Sequence, residues 1–106
     1  MKSTKKFILY LGINDKDTNR QKVTTRGAIV KASRTISLYA DGATIDTAKG
    51  VYKYNNGLTA YENTLKIEIL FITEKKVMQL IEKLKLLFNQ ESIGLQVETI
   101  KSALIY

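Results

Sequence analysis

One stretch, from Leu65 to Tyr106, limits the possible folds of this chain more than any other, because it is patterned as strand, helix and strand in succession. Its first part alternates polar residues with apolar ones, which predicts a strand with one buried face; the apolar residues are Leu65, Ile67, Ile69 and Phe71. In its middle, apolar residues recur every three or four positions, namely Val77, Leu80, Ile81, Leu84, Leu87 and Phe88. An amphipathic helix of this kind needs a sheet to cover, so the stretch predicts a layered α+β domain.

Two threonines are well placed to begin helices. Thr73 can cap the helix just described by accepting a backbone N–H bond, and Glu74 beside it suits the positive end of the helix dipole. Thr24 or Thr25 can cap an earlier helix whose inward residues would be Ala28 or Ile29, Ala32, Ile36 and Tyr39. The sequence therefore predicts two helices, each packed on a sheet by one apolar stripe.

Three further strands complete the pattern. The run from Phe7 to Ile13 is apolar on both alternating sets, which is typical of a central strand, and a turn-forming segment follows from Asn14 to Asn19. A β-prone segment begins near Thr44, with Gly50 as an expected bulge, and the turn Asn55-Asn56-Gly57 connects it to the next strand. The order βαββαβ predicts a ferredoxin-like α+β fold, in which two helices cover one face of a four-stranded antiparallel sheet. A single domain over residues 1–106 is expected from the length.

Such a fold leaves the second face of the sheet without helices. Alternation places several apolar side chains on that open face, which is unfavourable in water. The residues expected at an interface there are Ile8, Tyr10, Leu70 and Ile72. We therefore expect a homodimer that forms through the open sheet face.

The composition excludes several kinds of chemistry. The chain has no Cys and no His, so it lacks disulfides, thiolate metal ligands, and the side chain that most often serves as general base or metal ligand. No glycine-rich phosphate loop is present either, and no cofactor or metal is expected. The apolar run from Phe7 to Ile13 is too short for an export signal, and no run approaches the roughly 20 residues that cross a membrane. These features predict a cytoplasmic protein that does not bind membranes.

The net charge of +7 is concentrated in one part of the chain. Nine basic and two acidic residues precede Thr35, whereas eight of each follow. A surplus of this kind favours an anionic partner, such as a nucleotide, a nucleic acid or an acidic protein, although it can also serve solubility alone. The basic residues expected to converge as a binding surface are Lys16, Arg20, Lys22, Arg26, Lys31 and Arg34.

From Val23 to Tyr106 the chain resembles the bacterial domain-of-unknown-function family 3574. The resemblance rests on five short elements, which are Asp41-Gly42, Gly50 followed by Tyr52, Asn56-Gly57, Glu62 and Gln90-Glu91-Ser92. It implies a ferredoxin-like fold and a shared site around these positions. The family has no established activity to transfer.

Two groups of residues outside the basic segment are candidates for a site. Glu62 and Glu91 could act as acid and base if burial separated their pKa values, although Glu91 and Ser92 could instead bond free backbone groups after the helix. A second group combines basic and aromatic side chains that could stack on a nucleotide, or could simply pack in strands; it comprises Lys49, Tyr52, Lys53, Tyr54 and Tyr61.

Three functions follow from these observations. The absence of a recognisable catalytic set favours a non-enzymatic protein that acts by stoichiometric binding of a protein or an anionic ligand, for example a phage inhibitor of a bacterial defence system. One alternative is a nucleotide-binding or nucleic-acid-binding protein that uses the basic amino-terminal third. The other is a small enzyme that uses Glu62 or Glu91.

Overall fold

A computed structural model describes all residues from 1 to 106. Six strands and two helices follow one another along the chain. They are β1 (Lys2–Gly12), β2 (Asn14–Asp15), β3 (Arg20–Gln21), α1 (Thr25–Ile36), β4 (Thr44–Lys53), β5 (Thr59–Ile69), α2 (Glu74–Leu87) and β6 (Gly94–Ser102).

The four long strands form one antiparallel sheet in the order β4-β5-β1-β6. With both helices on one face, this arrangement confirms the predicted ferredoxin-like α+β fold. The two central strands carry most of the core, because both β1 and β5 have a neighbour on each side. Their fully buried residues include Phe7, Leu9, Leu11, Leu65 and Ile67.

Both helices begin at the predicted threonines. The Thr24 hydroxyl accepts the N–H of Gly27 at 3.0 Å, and the Thr73 hydroxyl accepts the N–H of Lys76 at 3.2 Å. The predicted inward stripes are also confirmed, since the buried residues are Ala28, Ala32 and Ile36 on α1 and Val77, Leu80, Ile81 and Leu84 on α2. The stripes fix how the helices lie on the sheet and therefore where the connecting loops meet.

Several local predictions are wrong. Phe71 is half exposed and has a φ of 57°, because β5 ends at Ile69 and the chain turns before α2. Gly50 forms no bulge, since the pairing of β4 with β5 is continuous from Thr44 to Lys53. Tyr39 lies beyond the end of α1, although it still packs against the core. The predicted turn after β1 contains a small additional hairpin, β2–β3.

The open sheet face is less apolar than expected. Ile72 packs against the core on the helix side and does not contribute to this face. Ile8 does lie on it but is only 3% exposed, because its neighbours on the adjacent strands are the long side chains of Glu68 and Gln96. Tyr10 and Leu70 are the partly exposed members of the predicted interface. No helix of the protein is long and apolar enough to span a bilayer.

Candidate active site

Glu62 occupies an unusual position on the open face of the sheet. Its side chain is only 7% exposed, although alternation along β5 directs it away from the helices. The carboxylate Oε2 accepts the backbone N–H of Asn14 at 2.8 Å. The other carboxylate oxygen, Oε1, has no hydrogen-bond partner in the protein. Every fully buried side-chain nitrogen or oxygen of the protein has such a partner, so Oε1 is not fully buried and reaches solvent. One oxygen is therefore held by the backbone and the other is available to a ligand.

Two glycines make room for this carboxylate and its neighbours. A Cβ at Gly12, the last residue of β1, would overlap the Glu62 carboxyl group. A Cβ at Gly50, which lies opposite Glu62 on β4, would overlap the Tyr52 ring and the Thr64 hydroxyl. The hydroxyls of Tyr52 and Thr64 lie 3.3 Å apart. The missing side chains thus let the Glu62 carboxyl group lie over Gly12 and the Tyr52 ring lie over Gly50, and a hollow remains beside them.

We call this hollow the Glu62 recess. Its volume is about 80 Å³, and it is lined by Gly12, Tyr52, Lys53, Tyr54, Glu62, Gln90, Glu91 and Ser92. The sequence placed these residues in two separate groups, one acidic and one aromatic with lysines. The structure brings most of both groups together, because the end of the β4–β5 hairpin and the exit of α2 meet at the same end of the sheet.

Two carboxylates, those of Glu62 and Glu91, and one ammonium group, that of Lys53, line the Glu62 recess. Burial raises the pKa of Glu62 above its usual value, and the N–H of Asn14 opposes this effect in part. The pKa of Tyr54 is also raised, first by burial and then by the negative charges of Glu62, Glu91 and Asp15. With both glutamates ionised, the acidic groups outnumber the lysine, so the recess favours a cationic ligand over an anionic one.

The segment just after β1 is tied to the exit of α2. Gln90 donates from Nε2 to the carbonyl oxygen of Asn14 at 2.5 Å, and Asn89 donates from Nδ2 to both carboxylate oxygens of Asp15 at 2.8 and 3.0 Å. The bond from Asn89, together with the nearby Lys22, holds the pKa of Asp15 below its usual value. These contacts connect residues more than 70 positions apart.

Sequence reasoning missed Gly12 and Asn14 as parts of the site and included Gln90 only through the resemblance to family 3574. Asn14 contributes backbone groups, and Gln90 contributes a side-chain amide that only the folded chain brings to Asn14, so neither contact gave a signal in the sequence. Gly12 did give one, because a glycine at the end of an apolar strand often marks a close approach.

Two of the basic residues expected at a binding surface meet at one pocket. Lys22 and Lys31 line it together with Asp15, Phe88 and Asn89. Lys22 pairs there with Asp15 at 3.3 Å, and Lys31 lies 5.5 Å from the centre of the Phe88 ring. Arg26 and Arg34 lie in the first and last turns of α1, while Lys16 and Arg20 lie on the β2–β3 hairpin and its connection. One binding surface made of all six stays a prediction.

Lysines at two other places are engaged with neighbours. Lys5 and Lys6 lie near Glu74 and Glu98, at 4.0 and 3.7 Å, towards the far end of β1. Lys49 projects on the helix side of the sheet and donates to Asn63 Oδ1 at 2.5 Å, so it does not join the recess. The chain has no group of three or more carboxylates, histidines or cysteines that could hold a metal ion.

Comparisons with known proteins connect the fold to solved structures. No family model matches the chain, and no curated protein matches it. A phage SAM lyase in complex with S-methyl-5'-thioadenosine has a TM-score of 0.72 and 19% identity, over 93% of this chain and 90% of the lyase. A phage SAM lyase in the apo state has a TM-score of 0.60 and 18% identity, over 98% and 94%. The periplasmic divalent cation tolerance protein CutA from Archaeoglobus fulgidus has a TM-score of 0.58 and 12% identity, over 97% and 88%.

At these identities the likeness shows the fold alone, and the resemblance to family 3574 stays a prediction. The comparisons nevertheless contradict one expectation from the sequence. A non-enzymatic protein that acts by stoichiometric binding was expected, whereas the phage SAM lyase that shares this fold over nine-tenths of both chains is an enzyme. That expectation rested on the absence of His and Cys, which does not exclude catalysis by a buried carboxylate.

Proposed function

We propose that this protein is an enzyme that cleaves S-adenosylmethionine (SAM) and releases S-methyl-5'-thioadenosine, with Glu62 at the reacting centre. The observation that carries the proposal is the buried Glu62 carboxylate, which lies over Gly12 in a recess and has one oxygen without a hydrogen-bond partner in the protein. The likeness to the phage SAM lyase supports the choice of substrate.

The charge of the recess fits a sulfonium substrate. SAM carries a permanent positive charge on its sulfur, and the carboxylates of Glu62 and Glu91 supply the opposite charge in a partly buried place. The recess volume of about 80 Å³ accommodates the sulfonium end of the molecule and not a whole nucleoside. Tyr52 and Tyr54 line the same recess and offer aromatic faces to the cation or to the adenine ring.

Cleavage at the sulfonium needs no further reagent. As the bond between sulfur and Cγ of the methionine part breaks, both of its electrons pass to sulfur and neutral S-methyl-5'-thioadenosine leaves. In the same step an oxygen of the substrate's own carboxylate bonds to Cγ, which gives a lactone, or Glu62 removes a proton from Cβ and the C–H electron pair forms a Cβ–Cγ double bond. Glu62 is a counter-ion in the first reaction and a general base in the second, where its raised pKa makes it a stronger base.

Incubation of the purified protein with SAM tests the proposal directly. Chromatography should show S-methyl-5'-thioadenosine formed with turnover, and NMR of the four-carbon product should separate the lactone from the alkene, which have the same mass. Glu62→Gln should reduce kcat by about 100-fold or more, because the charge is lost while the amide oxygen can still accept the Asn14 N–H.

Glu68→Gln is the matched control. Glu68 lies on the same strand and the same sheet face but pairs with Lys66, well away from the recess. Its substitution should leave kcat unchanged. The proposal would be wrong if the wild-type protein released no S-methyl-5'-thioadenosine, or if both substitutions had equal effects.

A homodimer and a cytoplasmic location belong to this proposal as further expectations. Tyr10 and Leu70 are the half-exposed apolar residues of the open sheet face, so they are the positions to change. Sedimentation should give dimers for the wild-type protein and monomers for Tyr10→Glu with Leu70→Glu. A wild-type protein that sediments as a monomer at high micromolar concentration would remove the dimer from the proposal.

A further inference from the structure

The backbone of Asn14 is hydrogen-bonded by two side chains of the Glu62 recess. Its N–H donates to Glu62 Oε2 at 2.8 Å, while its carbonyl oxygen accepts from Gln90 Nε2 at 2.5 Å. Gln90 is 9% exposed and also donates to the carbonyl oxygen of Phe88 at 3.1 Å, so its side-chain amide is fixed at the exit of α2. Gln90 and Glu62 therefore hold the same residue by two consecutive peptide groups, one on each side of its Cα atom.

The backbone around Asn14 is held by the same α2 exit on its far side. The N–H of Lys16 donates to the carbonyl oxygen of Asn89 at 3.1 Å, and the Asn89 side chain donates to Asp15. Asn89 has a φ of 48°, a left-handed conformation that asparagine tolerates better than most residues. Residues at the exit of α2 thus form hydrogen bonds with three consecutive residues of this segment, Asn14, Asp15 and Lys16.

We propose that Gln90 is a positioning residue for Glu62: it holds the backbone of Asn14 by the carbonyl oxygen, so that the N–H of the same residue points at the carboxylate. The inference rests on the proposed function for its effect on turnover, but the geometry can be tested without turnover.

Loss of the Gln90 amide should make Glu62 harder to ionise. The Asn14 N–H stabilises the charged carboxylate and so lowers its pKa, which means that a misaligned donor lets the pKa rise further. The other charged or titratable groups around the recess are Lys53 and Tyr54 from the end of β4, Glu91 after α2, and Asp15 on β2. None of these is removed when Gln90 is substituted.

Gln90→Met is the principal test variant, because methionine has a similar length and no donor. In the pH profile of kcat/KM, the acid limb of this variant should move to higher pH. Its kcat/KM should fall by about tenfold on the acid side and by less than about twofold on the alkaline plateau. Gln79→Met is the control, since Gln79 lies exposed on α2. A purely structural role for Gln90 would lower kcat/KM equally at all pH values.

An NMR titration of 13C-labelled glutamate carboxyls provides a readout that does not depend on activity. The Glu62 signal, assigned by its absence in Glu62→Gln, should titrate at higher pH in Gln90→Met than in the wild-type protein. An unmoved midpoint in the folded variant would overturn the inference. Absence of SAM cleavage by the wild-type protein would overturn the proposed function only, because the titration would still decide the role of Gln90.

One measurement needs no variant and remains available if Gln90→Met does not fold. In the wild-type protein the backbone amide of Asn14 and the side-chain amide of Gln90 should both change chemical shift at the Glu62 midpoint. A Gln90 amide that is insensitive to the Glu62 titration would contradict the coupling of the two side chains through the Asn14 backbone.

Discussion

At Gly12 the absence of a side chain decides where a carboxylate lies. The position that a Cβ would take is filled by the carboxyl group of Glu62. The strand is held in place there, because the N–H of Ile13 donates to the carbonyl oxygen of Asn63 at 3.1 Å. Glu62 is consequently buried on the sheet face without helices, where Ile8, Ala60 and Thr64 are buried as well. A site of this kind needs a small residue on one strand and an acidic residue on the next. Neither residue alone predicts the site from the sequence.

Gly12→Ala should therefore displace the Glu62 carboxylate. We expect a loss of about 100-fold in kcat, together with about 1–3 kcal/mol of stability, since a methyl group is forced into an occupied place. Gly42→Ala is the matched control, because nothing lies within 4 Å of the added Cβ. Enzyme assays and thermal unfolding of the two variants check the prediction, and full activity of Gly12→Ala would show that the carboxylate position is unimportant.

Glu62 should cost the protein stability at neutral pH. Its folded-state pKa is raised above the unfolded value, so between the two values the folded protein binds more protons and the free energy of unfolding falls as pH rises. Glu62→Gln removes this loss. The variant should have a higher Tm than the wild type above the folded pKa and lose the advantage at acid pH, where the wild-type carboxyl group is protonated.

Calorimetry of both proteins across the pH range measures the difference. For a domain of this size, each 1 kcal/mol appears as a change of roughly 4–8 °C in Tm. A variant that is less stable than the wild type at neutral pH would indicate that the Asn14–Glu62 hydrogen bond outweighs the burial of the charge.

At the scale of elements, the sequence predicted most of the fold. Helix caps and apolar stripes depend on residues within one turn of each other, and the Asn56-Gly57 turn depends on a local conformation, with Gly57 at a φ of 87°. The Glu62 recess could not be predicted from the sequence, because it depends on the pairing register of the strands. Only the pairing of Gly50 with Glu62, and the placement of Gly12 beside that pair, explain why these glycines are needed.

The cap of α2 offers a test at this scale. Thr73→Ala should lower the free energy of unfolding by about 1 kcal/mol, because the N–H of Lys76 loses its acceptor, while Thr73→Ser should be nearly neutral. Urea unfolding measures both variants. Turnover per folded molecule should not change, since Thr73 lies at the opposite end of α2 from Gln90; an equal loss from serine would argue against capping.

At the scale of the whole molecule, the charge distribution separates two kinds of ligand. An anion-binding protein of net charge +7 would lose affinity steeply as salt rises. A cation held by Glu62 and Glu91 is attracted at short range, where salt screens little. It is repelled by the one lysine of the recess, Lys53, and more weakly by the distant basic residues.

Consequently, kcat/KM for SAM should change by less than about threefold between ~0.05 and ~0.5 M salt, and in the upward direction. Steady-state assays over this range measure the change. Replacing the exposed Arg26 and Arg34 together by Gln should leave both turnover and stability near the wild-type values. A steep fall with salt would instead indicate an anionic substrate.

The pairing of β1 with β6 has a consequence for synthesis of the protein. Lys2 pairs with Ser102 and Tyr10 with Gly94, so during translation the apolar strand β1 emerges long before its second neighbour exists. Until then one edge of β1 is open to pairing with other nascent chains. Gln90 and Glu91, which complete the recess, directly precede that late strand. The strand that covers the edge of β1 and the last residues of the recess are therefore synthesised almost together. Chains that stop before Gly94 should be insoluble as well as inactive.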